Sequence, residues 1–148
     1  MSWEDAVVRA LPAGAVPLST DSVVLDPDPR QVAVARRFVT DHAPELPEAT
    51  SHALVLLTSE LVSNAVIHAR TEIEVAVTVT ETDVVITVHD QDLGRREQNT
   101  HERNGGRGLV IVEALAEDSG QLRHPEGGKT SWFRLSRCDD QAAIHSLT

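Results

Sequence analysis

The sequence predicts an α+β fold, a two-layer sandwich in which a mainly antiparallel sheet is covered on one face by helices. Residues 72–80 and 84–89 are rich in Val, Ile and Thr and are separated by a short polar turn, which predicts a hairpin. Residues 120–135 predict a second hairpin, with its turn at 126–128. Residues 48–69 form the longest segment with helical spacing of apolar residues. Strand pairs accompanied by separate helices favour two packed layers.

The remaining elements follow from local signals along the chain. Ser2 is a suitable N-cap for a short helix that must end before Pro12, and residues 12–21 resemble a linker. Three further elements are expected from apolar spacing and from flanking Pro or Gly residues: a strand at 22–25, a helix at 31–42 and a helix at 109–116.

Residues 90–106 are polar and show no periodicity. Unstructured loops of this length are uncommon in compact domains and are usually functional, so this loop is the candidate for a lid over a site. The full order is helix, strand, two helices, two strands, lid, helix and two strands. The C-terminal residues 137–148 are expected to be a disordered tail.

Length and charge limit the possible functions. The chain has 148 residues, enough for one domain, and its 13 basic and 23 acidic residues give a net charge of −10. This charge argues against direct binding to nucleic acid or to an anionic membrane. The single cysteine, the lack of a long apolar run and the lack of a signal peptide predict a soluble cytoplasmic protein. Twelve of the 13 basic residues are Arg, which hints at a bacterial source with a GC-rich genome.

The predicted central helix carries a polar stripe within the stretch SELVSNAVIHA, residues 59–69. Glu60, Asn64 and His68 fall within about 80° of the helical wheel, although the rest of the helix is apolar nearly all round. A buried polar group without a hydrogen-bond partner destabilises the fold, so the three residues of the stripe require partners. A polar network within the protein and a bound ligand are two alternatives that the helix alone leaves open.

Two further signals indicate binding of an anion and of a nucleobase. Residues 105–109 read GGRGL immediately before a predicted helix, whose free N–H groups favour a phosphate, although a tight loop would have the same pattern. Asp90 ends a predicted strand, where its carboxylate could accept a hydrogen bond from an exocyclic amine such as that of adenine. An aspartate that only ends a strand in a turn is the commoner explanation for a single case.

In this order the three signals resemble the GHKL, or Bergerat-fold, ATP-binding superfamily, and most of all its anti-sigma regulatory factors with serine/threonine kinase activity. The resemblance covers residues 23–136, which would be the ATP-binding domain, leaving 1–22 as an N-terminal helix and linker and 137–148 as a tail. Its most specific part is the E-x-x-x-N-A-x-x-H pattern of residues 60–68, followed at the proper distance by the glycine motif.

The resemblance implies a role for each matching residue. Glu60 would be the catalytic acid/base group at the attacking nucleophile, and Asn64 would ligate the Mg²⁺ that bridges the ATP phosphates. Asp90 would bind the adenine amine with Thr130 beside it on the sheet, and His68 would lie near the polyphosphate or brace the lid. The remaining implied ATP-binding residues lie in the loop at 90–106 and in the glycine motif at 105–109: Gly94, Gly106, Arg107, Gly108 and Leu109.

The resemblance also implies partners: a sigma factor, an anti-anti-sigma protein of the STAS type, and a second copy of the chain in a homodimer.

One departure concerns the family's D-x-G-x-G pattern, in which Asp92 replaces the first Gly and only Gly94 is retained. A second carboxylate near the nucleotide would weaken ATP binding. Besides an ATP-dependent kinase, the sequence therefore allows a module of the same fold that sequesters a regulator without phosphoryl transfer; a histidine-kinase fragment fits less well.

Overall fold

The computed structural model describes residues 3–69, 71–91, 112 and 114–138 of the chain. The helices are α1 (Trp3–Ala10), α2 (Gln31–His42) and α3 (Glu48–Ala69). The strands are β1 (Ser19–Leu25), β2 (Ile73–Val79), β3 (Asp83–Asp90), β4 (Asp118–Arg123) and β5 (Lys129–Ser136). Residues 112, 114 and 115 are helical, within the helix expected at 109–116.

The five strands form one sheet in the order β1-β2-β3-β5-β4, and every neighbouring pair is antiparallel. The two predicted hairpins, β2–β3 and β4–β5, lie next to each other because β5 pairs with β3. The predicted α+β class, with an antiparallel sheet and helices packed on it, is confirmed.

β1 is longer than the predicted strand at 22–25. Its first three residues, Ser19 to Asp21, pair with Val79, Thr78 and Val77 of β2. These residues are polar and exposed at the edge of the sheet, so they show no apolar alternation that could have predicted a strand. Part of the expected linker is therefore sheet.

The main core lies between the sheet and the pair α2 and α3. Leu54, Leu57, Leu61 and Ala65 of α3 are buried, at the three- and four-residue spacing of one helix face. They meet side chains from alternate positions of the strands, of which Phe133 is the largest fully buried one. The apolar positions of the central strands thus fix which face of the sheet α3 covers.

Helix α1 packs on the opposite face of the sheet. Ala6 and Ala10 are buried there with Val85 of β3 and Trp132 of β5, in a second cluster separate from the main core. Alanines let the helix backbone approach the sheet closely enough to cover the indole of Trp132. The N-terminal helix therefore covers part of the sheet that α2 and α3 leave open.

By length and composition alone, α3 is the one helix among the described residues that could cross a membrane. In the fold, however, it is the core helix: Leu57 and Val62 are fully buried, and the helix packs against both the sheet and α2.

Candidate functional site

The polar stripe lies along one flank of α3. Glu60, Asn64 and His68 are all half-buried. The opposite flank is occupied by α2, where Arg36 donates a hydrogen bond to Ser59 over 3.4 Å between Nη1 and Oγ. The outer side of α3 is open, since Leu56 is 43% and Ile67 is 64% exposed. The stripe therefore lines the border between the buried face and solvent, as expected for the wall of a cleft.

Glu60 and Asn64 are the two members of the stripe that bear on its two explanations. In the described part of the chain, neither side chain makes a hydrogen bond or an ion pair with another described residue. A polar network within the protein would have to satisfy these groups, whereas a ligand site leaves them available. Within the described residues no internal network satisfies these two side chains, and the ligand explanation stays a prediction.

Asp90 lies at the end of the sheet toward which the stripe runs. α3 ends at Ala69, β2 begins four residues later at Ile73, and Ile73 pairs with Asp90 of β3. Asp90 alternates with Val88 and Ile86, which are in the main core, so its side chain is on the helix face. It is only 1% exposed. The fold thus brings the carboxylate of Asp90 to the helix-covered face, at the same end as the C-terminal turn of α3.

Thr130 is on the other face. It pairs with His89, not with Asp90, and its Oγ1 lies 2.8 Å from Nδ1 of His89 and 2.8 Å from Nε2 of His124. Directly opposed residues of an antiparallel pair share a face, and successive residues alternate. The expected placement of Thr130 beside Asp90 therefore differs from the structure, which separates the two side chains by the thickness of the sheet.

The residue opposite Asp90 is Lys129. It is the only lysine of the chain and only 8% exposed, an unusual degree of burial for a lysine. Sequence reasoning missed it because Lys129 and Thr130 are adjacent and only the pairing register decides which one faces the helices. To predict which of the two residues faces the helices, the length of the turn at Gly127 and Gly128 would have to be known exactly, because an error of one residue moves each side chain to the other face.

A buried network occupies the opposite face at this end of the sheet. The rings of His89 and His124 have centroids 5.2 Å apart, and Nε2 of Gln91 lies 3.0 Å from Nε2 of His89. Burial lowers the pKa of His89 below the usual 6.5, His124 lowers it further, and Glu74 on β2 opposes the shift. His124 was not expected from the sequence, where it follows a polar strand without any apolar pattern.

Gly128 holds the β4–β5 turn against the end of β3. Its φ is +93°, and a Cβ added to it would lie 2.7 Å from the carbonyl oxygen of Asp90. Only glycine combines this backbone conformation with so close an approach. The turn is therefore locked to the strand end that carries Asp90.

Several predicted site residues lie outside the described residues. They all belong to the lid and the glycine motif: Asp92, Gly94, Gly106, Arg107, Gly108 and Leu109. Their roles stay predictions. A cavity of about 490 Å³ is lined by Leu61 of α3, by Val112 and Ala116, and by residues of β4 and β5. Its described lining includes neither the polar stripe nor Asp90, so it marks the space between α3 and β4 rather than the site itself.

The described residues suit a magnesium ion that is held mainly by water and phosphate oxygens better than a metal ion that is held by side chains alone. Within the described residues there is no group of three or more His, Cys, Asp or Glu side chains arranged to hold a metal ion. Magnesium commonly takes one or two protein oxygens and completes its shell with water and phosphate oxygens. The amide oxygen of Asn64 fits such a site only together with a phosphate ligand.

Comparisons with known proteins agree with this fold. A family model described as "Histidine kinase-like ATPase domain" matches residues 25–135. Among solved structures, the chain is similar to the RsbU and RsbW domains of Rv1364c from Mycobacterium tuberculosis, with 23% identity and a TM-score of 0.62. That match covers 82% of this chain and 33% of the other. No curated protein matches the chain in sequence.

The matched residues include α2, α3 and most of the sheet, together with Glu60, Asn64 and Asp90. A domain of this kind implies ATP as the nucleotide. The chain belongs to the family of histidine kinase-like ATPase domains.

Proposed function

We propose that this chain is an anti-sigma-type regulator that binds Mg-ATP and phosphorylates a Ser or Thr of an anti-anti-sigma partner, thereby controlling whether a sigma factor is sequestered. The observation that carries the proposal is the pair Glu60 and Asn64. The two side chains are one turn apart, half-buried and without described partners, on the open flank of a core helix that runs toward Asp90. The resemblance of residues 59–69 and 105–109 to anti-sigma regulators adds the biological class.

Each residue has a defined task in this proposal. Asp90 accepts a hydrogen bond from the adenine amine, and the amide oxygen of Asn64 holds magnesium against the phosphates. His68, one turn beyond Asn64, lies near the polyphosphate. Gly94 and the segment 106–109 contribute backbone N–H groups and the Arg107 charge around the phosphates, an assignment that comes from the sequence alone.

Phosphoryl transfer then depends mainly on positioning. ATP supplies the γ-phosphoryl group, and a magnesium ion held by Asn64 would neutralise the negative charge that develops on the phosphate oxygens. The partner's hydroxyl oxygen forms the new bond to phosphorus, the bond between that phosphorus and the β-phosphate oxygen breaks, and ADP departs. Glu60 takes the hydroxyl proton, which it can do because its carboxylate is half-buried beside the metal-binding Asn64 and not committed to an ion pair.

The test combines capture of partners with two substitutions. Proteins captured from the native cell are incubated with the chain and labelled ATP, and label should appear on a small partner. Glu60→Gln should bind Mg-ATP with affinity similar to that of the unchanged protein but transfer no label. Glu48→Gln is the matched control, since Glu48 is an exposed glutamate in the first turn of the same helix.

The magnesium assignment has its own test. Asn64→Ala should abolish binding of Mg-ATP in calorimetry while the fold is retained, because the half-buried side chain makes no hydrogen bond with a described residue that the substitution would break. Ser63→Ala, at the adjacent half-buried position, is the control and should bind normally. Equal affinity of the Asn64→Ala variant and the unchanged protein would contradict the assignment.

A second candidate function is a non-catalytic module of the same fold that sequesters a sigma factor or another regulator. Asp92 favours it, because a carboxylate in place of the family's glycine opposes nucleotide binding. Capture of a sigma factor without labelling of any partner would support this function over the kinase. A cytoplasmic location and a homodimer belong to both candidates.

A further inference from the structure

A single row of residues crosses the helix-covered face of the sheet at the site. Going from β1 to β4, the register places the following residues side by side: Leu25, Ile73, Asp90, Lys129 and Arg123. The row begins apolar and buried, passes through one carboxylate, and ends with two cations. In a chain of net charge −10, the row therefore concentrates positive charge on one side of Asp90.

We propose that Lys129 is a second base-binding residue of the nucleotide site, whose ammonium group donates a hydrogen bond to a ring nitrogen of adenine beside the amine that Asp90 binds. This inference rests on the proposed function, since it assigns a contact within the same ATP site. Directly opposed residues on one face have Cβ atoms about 5 Å apart. The carboxylate of Asp90 and the long side chain of Lys129 can therefore reach neighbouring atoms of one base.

The chemistry of the pair is complementary to the edge of adenine. Ionised Asp90 only accepts hydrogen bonds and Lys129 only donates them, with three N–H groups available. The adenine amine is a donor flanked by two acceptors, N1 on one side and N7 on the other. With the amine bound to Asp90, either edge presents an acceptor to the lysine. The ammonium group has donors to spare, so contact with the carboxylate does not exclude contact with the base.

The other neighbours of Asp90 cannot take this role. Ile73, on the opposite side of Asp90 in the row, is apolar and fully buried. Thr130 has its hydroxyl on the other face of the sheet. Arg123 shares the face but is one strand further away and exposed. Within this row, Lys129 is the buried donor next to the carboxylate.

The experiment measures nucleotide affinity by calorimetry on the full chain. Lys129→Met keeps the length and the apolar stem but removes the donor, and should weaken ATP binding about tenfold, as expected for a hydrogen bond from a charged group. Lys129→Arg should retain most of the affinity. Arg123→Met, the control from the same row, should change the affinity less than about twofold.

Adenine analogues identify the contact on the base. The probes are 1-deaza-ATP and 7-deaza-ATP, which lack N1 and N7 respectively. For the unchanged protein, one of the two should bind about tenfold more weakly than ATP, and Lys129→Met should bind that analogue and ATP equally. This comparison also tests the inference within the unchanged protein, should Lys129→Met fail to fold.

Failure of this inference can be distinguished from failure of the proposed function. Absence of ATP binding by the unchanged protein would refute the proposed function and this inference together. ATP binding that is equal or tighter in Lys129→Met would overturn the inference alone and show that the lysine only neutralises Asp90. Equal binding of both deaza analogues and ATP by the unchanged protein would overturn it as well.

Discussion

Replacing Gly128 by alanine tests how tightly the β4–β5 turn is locked to the strand end that carries Asp90. A non-glycine residue at a φ of +93° costs about 1–2 kcal/mol, and the reduced freedom of the unfolded chain returns about 0.4–1 kcal/mol. The added Cβ would also lie 2.7 Å from the carbonyl oxygen of Asp90. Relief of such a contact by backbone movement costs about 1–3 kcal/mol. Gly128→Ala should therefore lower the free energy of unfolding by about 1.5–4 kcal/mol.

The chain contains a matched control for the backbone contribution. Gly14 has a φ of +83°, but a Cβ added to it would meet nothing within 4 Å. Gly14→Ala should thus lose only the backbone part, about 0.5–1 kcal/mol. Equilibrium unfolding in urea, followed by far-ultraviolet circular dichroism, measures both variants. If they lose the same stability to within about 0.5 kcal/mol, the contact with Asp90 does not constrain the turn and the reasoning is refuted.

Three further predictions address the two faces of the sheet. Because burial and His124 lower the pKa of His89, its neutral form is favoured in the fold; this part of the stability is complete above pH 6.5 and is lost as the pH falls toward the lowered value. Urea midpoints between pH 5 and 8 should therefore fall less steeply on acidification in His89→Gln, and an unchanged slope would contradict this. Leu57→Ala, at a fully buried position of α3, should cost about 2–5 kcal/mol in the same unfolding assay, and a loss below about 1 kcal/mol would contradict its place in the core. Ala6→Asp, which places a charge in the cluster under α1, should shift the fluorescence of Trp132 to longer wavelength in a variant with no other tryptophan, whereas unchanged emission would show that α1 is not needed to cover the indole.

Strong periodicity made most of the fold predictable. The helices at 31–42 and 48–69 begin and end in the structure at the predicted residues, because apolar spacing marks their extent and prolines lie just outside the first helix at both ends and just before the second. The start of β1 was missed for the opposite reason: Ser19 to Asp21 are polar residues at a sheet edge, held there by backbone pairing with β2. Backbone pairing at a sheet edge does not require apolar side chains, so the pattern of polarity could not predict it.

The site was predictable only as far as a single helix determines it. Glu60 and Asn64 share a flank of α3 because four residues make about one turn, whatever the rest of the chain does. The partner of Asp90 depends instead on the register between β3 and β5, where a shift of one residue exchanges Lys129 for Thr130 on the helix face. No local property of the adjacent Lys and Thr reveals that register.

The hydrogen bonds on the opposite face form a chain with a direction. If the amide of Gln91 donates to Nε2 of His89, then Nδ1–H of His89 donates to Thr130, and the threonine hydroxyl is left to donate to Nε2 of His124. Each ring nitrogen along the chain then has one role, and the chain ends at Nδ1 of His124, a buried atom for which the described structure provides no partner. A proton added to His89 puts a second donor against the Gln91 amide, which must rotate to accept it. Protonation of His89, on the face of the sheet away from α3, would therefore change the orientation of Gln91, the residue that directly follows Asp90.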